Sequence, residues 1–210
     1  MKSLRLLAGT VVAGAALALL GPIAPAQAAS SCTITPTSAT LYTKAKNVKF
    51  GVAGSTEWMI EISDLFVFAV KDPDYSAAIV QMSPKFYLNS DAGLHAVKVT
   101  RGTGECSTSF RLLRGSVLSA KATNIGNGKR TVTGTLKRVN FGYGTYSAVS
   151  GQKVRIEYKT TTGQWVSAGT VTTAKNGTFK LTKKSAKRQW RAVFGGTSTT
   201  ATRTSAVTAG

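Results

Sequence analysis

The feature that most constrains this chain is short-range. Apolar residues recur at every second position, in short runs broken by Gly, Asn and Ser. Lys153–Lys159 is the clearest case: Val154, Ile156 and Tyr158 alternate with Lys153, Arg155, Glu157 and Lys159. A period of two is the period of a strand, whose successive side chains leave opposite faces. Helix signals are scarce beyond the first thirty or so residues, so the fold is expected to be all-β.

The same rule reads most of the chain. Over 47–52 it puts Val48, Phe50 and Val52 on one face, and over 57–62 Trp58, Ile60 and Ile62. Residues 65–70 form an unbroken apolar run, expected to be a strand buried on both faces. Lys71-Asp72-Pro73-Asp74 is a turn. Runs at 94–100 and 106–113 suggest a closing hairpin. His95 is read as lying off the Val97 and Val99 alternation, hence as an outward-facing surface residue.

Later runs at 117–123, 130–138, 153–159, 164–173, 178–182, 189–194 and 203–208 give about seven strands, the number of an immunoglobulin-like sandwich. Asn176-Gly177 is a strong hairpin signal because both residues tolerate positive φ. Trp165, Phe179, Trp190 and Phe194 are assigned to the interior, where aromatics supply much of the buried area. An exposed aromatic platform for sugars is the other reading.

Lys2 and Arg5, an apolar run from Leu6 to Leu20, and Ala26-Gln27-Ala28-Ala29 have the order of a secretory signal peptide over 1–28. The run is short for a membrane span, which takes roughly 20 apolar residues, and no transmembrane segment is expected. Cys32 lies close to the signal, but Ala29-Ser30-Ser31 lacks the Leu that precedes lipidated cysteines. The mature protein is therefore expected to be secreted and extracellular. In an exported chain the only two cysteines, Cys32 and Cys106, are expected to form one disulfide joining the first strand to the last.

Charge then divides the chain. Residues 30–115 carry nine Lys and Arg against seven Asp and Glu, and residues 116–210 carry sixteen against one, Glu157. The net charges are thus +2 and +15, an asymmetry that points to two modules with different surfaces. The expected organisation is a disulfide-closed β-sandwich over 30–115 and a basic immunoglobulin-like β-sandwich over 116–210. The stretch from Arg114 to Val117 is too short to be a flexible linker.

The segments Lys129-Arg130-Thr131-Val132-Thr133-Gly134-Thr135-Leu136-Lys137-Arg138, Gly151-Gln152-Lys153-Val154-Arg155, Gln189-Trp190-Arg191 and Phe194-Gly195-Gly196-Thr197-Ser198-Thr199-Thr200 resemble Streptomyces-like actinobacterial secreted proteins with a C-terminal bacterial immunoglobulin-like domain. The resemblance covers most of 115–208. It implies export and a fold, and it brings no catalytic or binding residues.

Chemistry is harder to find. With one histidine there is no Ser-His-acid set unless His95 is its base, and no G-x-S-x-G, H-E-x-x-H or phosphate-cradling glycine loop occurs. The chain is read as non-enzymatic, with no catalytic residues, metal or cofactor. Asp72, Asp74, Asp64 and Asp91 are the carboxylates that a hydrolase or a Ca²⁺ site would need, and a solvated turn accounts for Asp72 and Asp74 more simply. Glu157 is read as facing outward and pairing with neighbouring cations.

Positive charge remains. Lys183, Lys184, Lys187 and Arg188, with the pairs Lys129-Arg130 and Lys137-Arg138, are the anion-binding candidates. Such a field attracts polyanions without needing a particular sequence in them. The expected partners are anionic cell-envelope polymers or other polyanions. The competing reading is a structural spacer whose cations are merely solvated, and a carboxylate hydrolase in the first half is a third.

Overall fold

A computed structural model describes residues 31–102 and 104–210. The signal-peptide reading falls outside these residues. The described chain is all-β, with two single 3₁₀ turns at Ser63–Leu65 and Asn89–Asp91.

The first half folds as two facing layers. One is a five-stranded sheet in the spatial order Ser38–Leu41, Gly104–Arg114, Gly93–Arg101, Trp58–Ile62, Val67–Lys71. The other consists of two ribbons, Ile34–Thr35 with Gly51–Val52 and Lys46–Lys49 with Ile79–Met82. Between them lie Ile34, Val48, Phe50, Val52 and Met82 from the ribbons, and Ile60, Val67, Val97 and Phe110 from the sheet. Phe50 and Phe110 meet across the gap with ring centroids 5.6 Å apart. Gly93–Arg101 and Gly104–Arg114 form the expected hairpin. The disulfide joins Cys32, just before the first strand, to Cys106 in the last, with Cα atoms 5.8 Å apart. The 71–74 turn also holds: Asp72 Oδ1 accepts from the backbone N–H groups of Asp74 and Tyr75.

Two expectations for this half fail. The 65–70 run is not buried on both faces. The sheet is covered on one face only, as the same alternation in its inner strands shows, so Leu65, Val67 and Ala69 are buried while Phe66 is 90% exposed and Phe68 more than half exposed. His95 is not at the surface either. It shares the parity of Val97 and Val99, and it is buried with them at 8% exposure.

The second half is a sandwich of two sheets. Ser116–Asn124 pairs with Lys129–Asn140, whose other edge carries Thr178–Lys184 and Thr145–Ala148. Opposite lies the order Trp165–Thr172, Lys153–Lys159, Gln189–Phe194, with Arg203–Thr204 and Thr208–Ala209 sharing the last edge. This division of the strands between two sheets is that of an immunoglobulin-like sandwich. Leu118, Val132, Leu136 and Phe179 from one sheet meet Val154, Ile156, Trp190, Ala192 and Phe194 from the other. At the Asn176-Gly177 turn Gly177 has φ +76°, and a Cβ there would lie 2.5 Å from Leu136 O, so the turn needs glycine twice over.

The two sandwiches are joined without slack. Gly115 alone separates Gly104–Arg114 from Ser116–Asn124, and the Tyr42 ring lies where its side chain would be. Val139 and Phe141, from the second half, are buried in the first half's cluster. Asn89 Nδ2 donates to Asn140 Oδ1 (2.5 Å), and the Phe141 N–H donates to Asn89 Oδ1 (2.9 Å).

Candidate functional site

Strand register decides what the scattered cations do together. In the four-stranded sheet, Val132, Leu136 and Phe179 point into the core, so the residues between them face outward. Lys121 pairs with Thr133, and Thr133 with Lys180. Thr123 pairs with Thr131, and Thr131 with Thr182, their hydroxyls 2.9 Å apart across the last pair. Lys129 lies opposite Lys184, and Lys137 opposite Val117.

The outer face of this sheet is therefore a grid of five lysines, at 121, 129, 137, 180 and 184, set among threonine and serine hydroxyls. All five are exposed, and no acid projects from the sheet. Lys121 and Lys180, on strands either side of Thr133, sit about 10 Å apart. Lys129 and Lys184 sit directly opposite each other, an arrangement that costs stability. Lys121 and Lys180 are isolated in sequence, and only the pairing of strands some sixty residues apart reveals them.

The candidates from the sequence therefore divide. Lys129 and Lys184 belong to the grid, and Lys137 closes its far end. Arg130 and Lys183 have the parity of Val132 and Leu181, so they lean towards the opposite sheet at the open end of the sandwich, where Arg130 is partly buried and Lys183 stays exposed. There Lys183 Nζ donates to Ala168 O of the opposite sheet (2.9 Å), and Arg130 Nε is buried without a partner. Lys187 is exposed, while Arg188 is tied through its backbone to Gly210. Arg138, eight residues along the strand from Arg130, is roughly 25 Å away. It donates to Thr200 Oγ1 (3.2 Å).

The opposite outer face is organised around Glu157. Its carboxylate accepts from Arg155 Nε and Arg191 Nε, both at 2.7 Å, and the Arg191 guanidinium lies 4.2 Å from the centre of the Trp165 ring. Glu157 keeps its outward parity, but these cations roof it so that its side chain is only 7% exposed. Burial pushes its pKa up, and the hydrogen bonds from Arg191 and Arg155 more than reverse that, leaving it below the usual carboxylate value. Trp165 is a correction: it is only partly buried and lies on this outer face. The register shift opposite Ile156 and Glu157 leaves Ala168 unpaired, which flips Ser167 and Trp165 out of phase with the inward Gly169 and Val171.

In the first half, His95 Nδ1 lies 3.1 Å from Asp64 Oδ2, and His95 Nε2 lies 2.8 Å from Asp91 O, so the ring ties together both 3₁₀ turns. The bond from His95 lowers the pKa of Asp64. Among the described residues no three or more His, Cys, Asp or Glu cluster in a way that could hold a metal ion. No helix among them is long and apolar enough to cross a membrane.

No protein-family model matches the sequence, and no curated protein matches it. Among solved structures the chain is similar to the D00-D0 domain of intimin, at 16% identity and a TM-score of 0.33, covering 85% of this chain and 98% of that one. It is similar to domains A168-A170 of titin at 12% identity and a TM-score of 0.31, covering 82% and 59%. A Dscam structure gives 12% identity and a TM-score of 0.29, covering 87% and 45%. Scores this low add nothing to the fold assignment, which rests on the strand order.

Proposed function

We propose that this chain is a secreted, non-enzymatic binding protein built of two domains, 30–115 and 116–210, whose basic second domain contacts anionic envelope or extracellular polymers. The lysine and threonine grid supports this reading. Five exposed lysines share one outer face with no acid among them, and two of them oppose each other in register at a cost to stability. A polyanion lying across that face relieves the repulsion, and the hydroxyls between the lysines add hydrogen bonds to its oxygens. The contact is one of charge and spacing, so it weakens steeply with salt.

The disulfide and the segment 1–28 are the grounds for export. The one-residue connection between the halves, with Val139 and Phe141 packed into the first core, favours a second role as a spacer that holds the grid at a set distance from whatever the first domain meets. The test is retention of the oxidised protein on immobilised polyphosphate or heparin under a salt gradient. Retention to at least about 0.3 M salt supports the reading. Release at very low salt by a folded protein leaves the spacer alone.

A further inference from the structure

We infer that the junction between the two sandwiches holds a second, discrete anion site, in which Arg114 and Arg138 bind one phosphate-type oxyanion. Arg114 is the last residue of Gly104–Arg114, and at 6% exposure it is the most deeply buried cation among the described residues. Its one side-chain hydrogen bond runs from Nε to Val139 O at 2.7 Å. No carboxylate lies within ion-pair distance of Arg111, Arg114 or Arg138 among the described residues. None of the remaining side-chain N–H groups of Arg114 is both buried and unpaired.

The surroundings add cations and hydroxyls and no counter-charge. Arg138 pairs in register with Ser116, two residues from Arg114, and its Nη1 donates to Thr200 Oγ1. Residues 199–201 run beside Arg114, which donates its N–H to Thr199 O and accepts from Ala201 N, both at 3.0 Å. Arg111 Nη1 reaches Ser198 O at 3.1 Å, on the same segment. Burial, and then repulsion from Arg138, push the Arg114 pKa down to about 10, which is the expected mark of a cation lacking its anion.

Burying a guanidinium without a counter-charge is expensive, and two neighbouring guanidiniums compound the cost. Their planar forks match the oxygens of a phosphate group, which would supply the missing negative charge. This site is separate from the lysine grid and does not depend on it.

The test is thermal unfolding of the oxidised full chain in sodium phosphate against sodium chloride at matched ionic strength, with the ¹⁵Nε–H resonances of Arg114 and Arg138 followed by NMR. Phosphate is expected to raise the midpoint saturably and to shift both resonances, through binding to the folded state. Arg138→Gln should weaken phosphate binding at least tenfold while the protein still folds. Arg114→Met should remove the phosphate response and leave the midpoint in chloride close to the parent's, since losing a buried charge that has no counter-charge offsets losing the bond to Val139 O. Lys121→Gln with Lys180→Gln should leave the phosphate response intact and weaken only retention on polymer. Glycerol-phosphate oligomer binding more tightly than inorganic phosphate assigns the site to a polymer chain, and the reverse order assigns it to a free ion. Equal midpoints in phosphate and chloride, or an Arg138→Gln protein that responds like the parent, would overturn the assignment.

Discussion

The two sandwiches share an architecture and use their sequences differently. The first buries 23 hydrophobic residues in one cluster, two of them, Val139 and Phe141, contributed by the second half, and it is closed by a disulfide. The second buries 11 and has no covalent closure. It also carries a net +15, against +2 in the first. Self-repulsion of that size destabilises a compact state, and it falls on the half with the smaller interior. The comparison teaches that the first sandwich invests its sequence in an interior and a covalent closure, while the second holds a smaller interior under a far larger charge.

The largest expected effect lies in the first half. Replacing Cys32 and Cys106 together by Ala should cost about 4 kcal/mol, from opening a loop of 74 residues. Denaturant unfolding checks this, and the junction makes the second half lose stability with it. Trp190→Ala should cost about 3 to 4 kcal/mol, because Trp190 is fully buried and packs at a tilt against Tyr158, ring centroids 5.5 Å apart, in the smaller core. Near-ultraviolet circular dichroism should then show the second half unfolding first. If the Trp190→Ala protein still loses both halves in one shared transition, the contrast between the halves is wrong.

A smaller effect concerns charge. Glu157→Gln should cost on the order of 2 kcal/mol at neutral pH, since it removes the negative charge and one of the two acceptor oxygens, and one of the two arginines it serves, Arg155, is half-exposed and therefore screened. The folded pKa of Glu157 lies below its unfolded value. Its contribution is therefore fully present above the ordinary carboxylate value and is lost as pH falls through the lowered one. The gap in melting temperature between parent and Glu157→Gln should close on acidification across that window. The smallest effect sharpens the contrast from the other side. Phe66→Ser, at a position in the left-handed region (φ 52°) and almost wholly in solvent, should change stability by less than about 0.5 kcal/mol.

Much of the fold was legible because period-two burial is a local rule. Trp58, Ile60 and Ile62, and later Val154 and Ile156, lie inside as the alternation requires. It failed where a non-local feature interrupted the pattern. Trp165 has the parity of Val171, and one unpaired residue at Ala168 sends it to the other face. An apolar run cannot declare that its sheet is covered on one face only, so Phe66 and Phe68 looked interior. His95 lay in phase with Val97 and Val99 all along, and its burial follows from a rule already applied to its neighbours. The site was legible only in part. The pairs Lys129-Arg130 and Lys183-Lys184 were visible as charge runs, but alternation sends one member of each pair outward and the other towards the opposite sheet. Lys121 and Lys180 became partners only through register.

The most direct measurement compares salt-gradient retention on immobilised polyphosphate for the parent and for a variant with Lys121, Lys129, Lys137, Lys180 and Lys184 all changed to Gln. A control with Lys44, Lys46, Lys49, Lys71 and Lys85 changed to Gln carries the same loss of charge on the first half. The lysine grid predicts that the first variant elutes at much lower salt while the control elutes close to the parent. Equal losses in both variants would mean that net charge alone governs retention, and would contradict a binding face on the second sandwich.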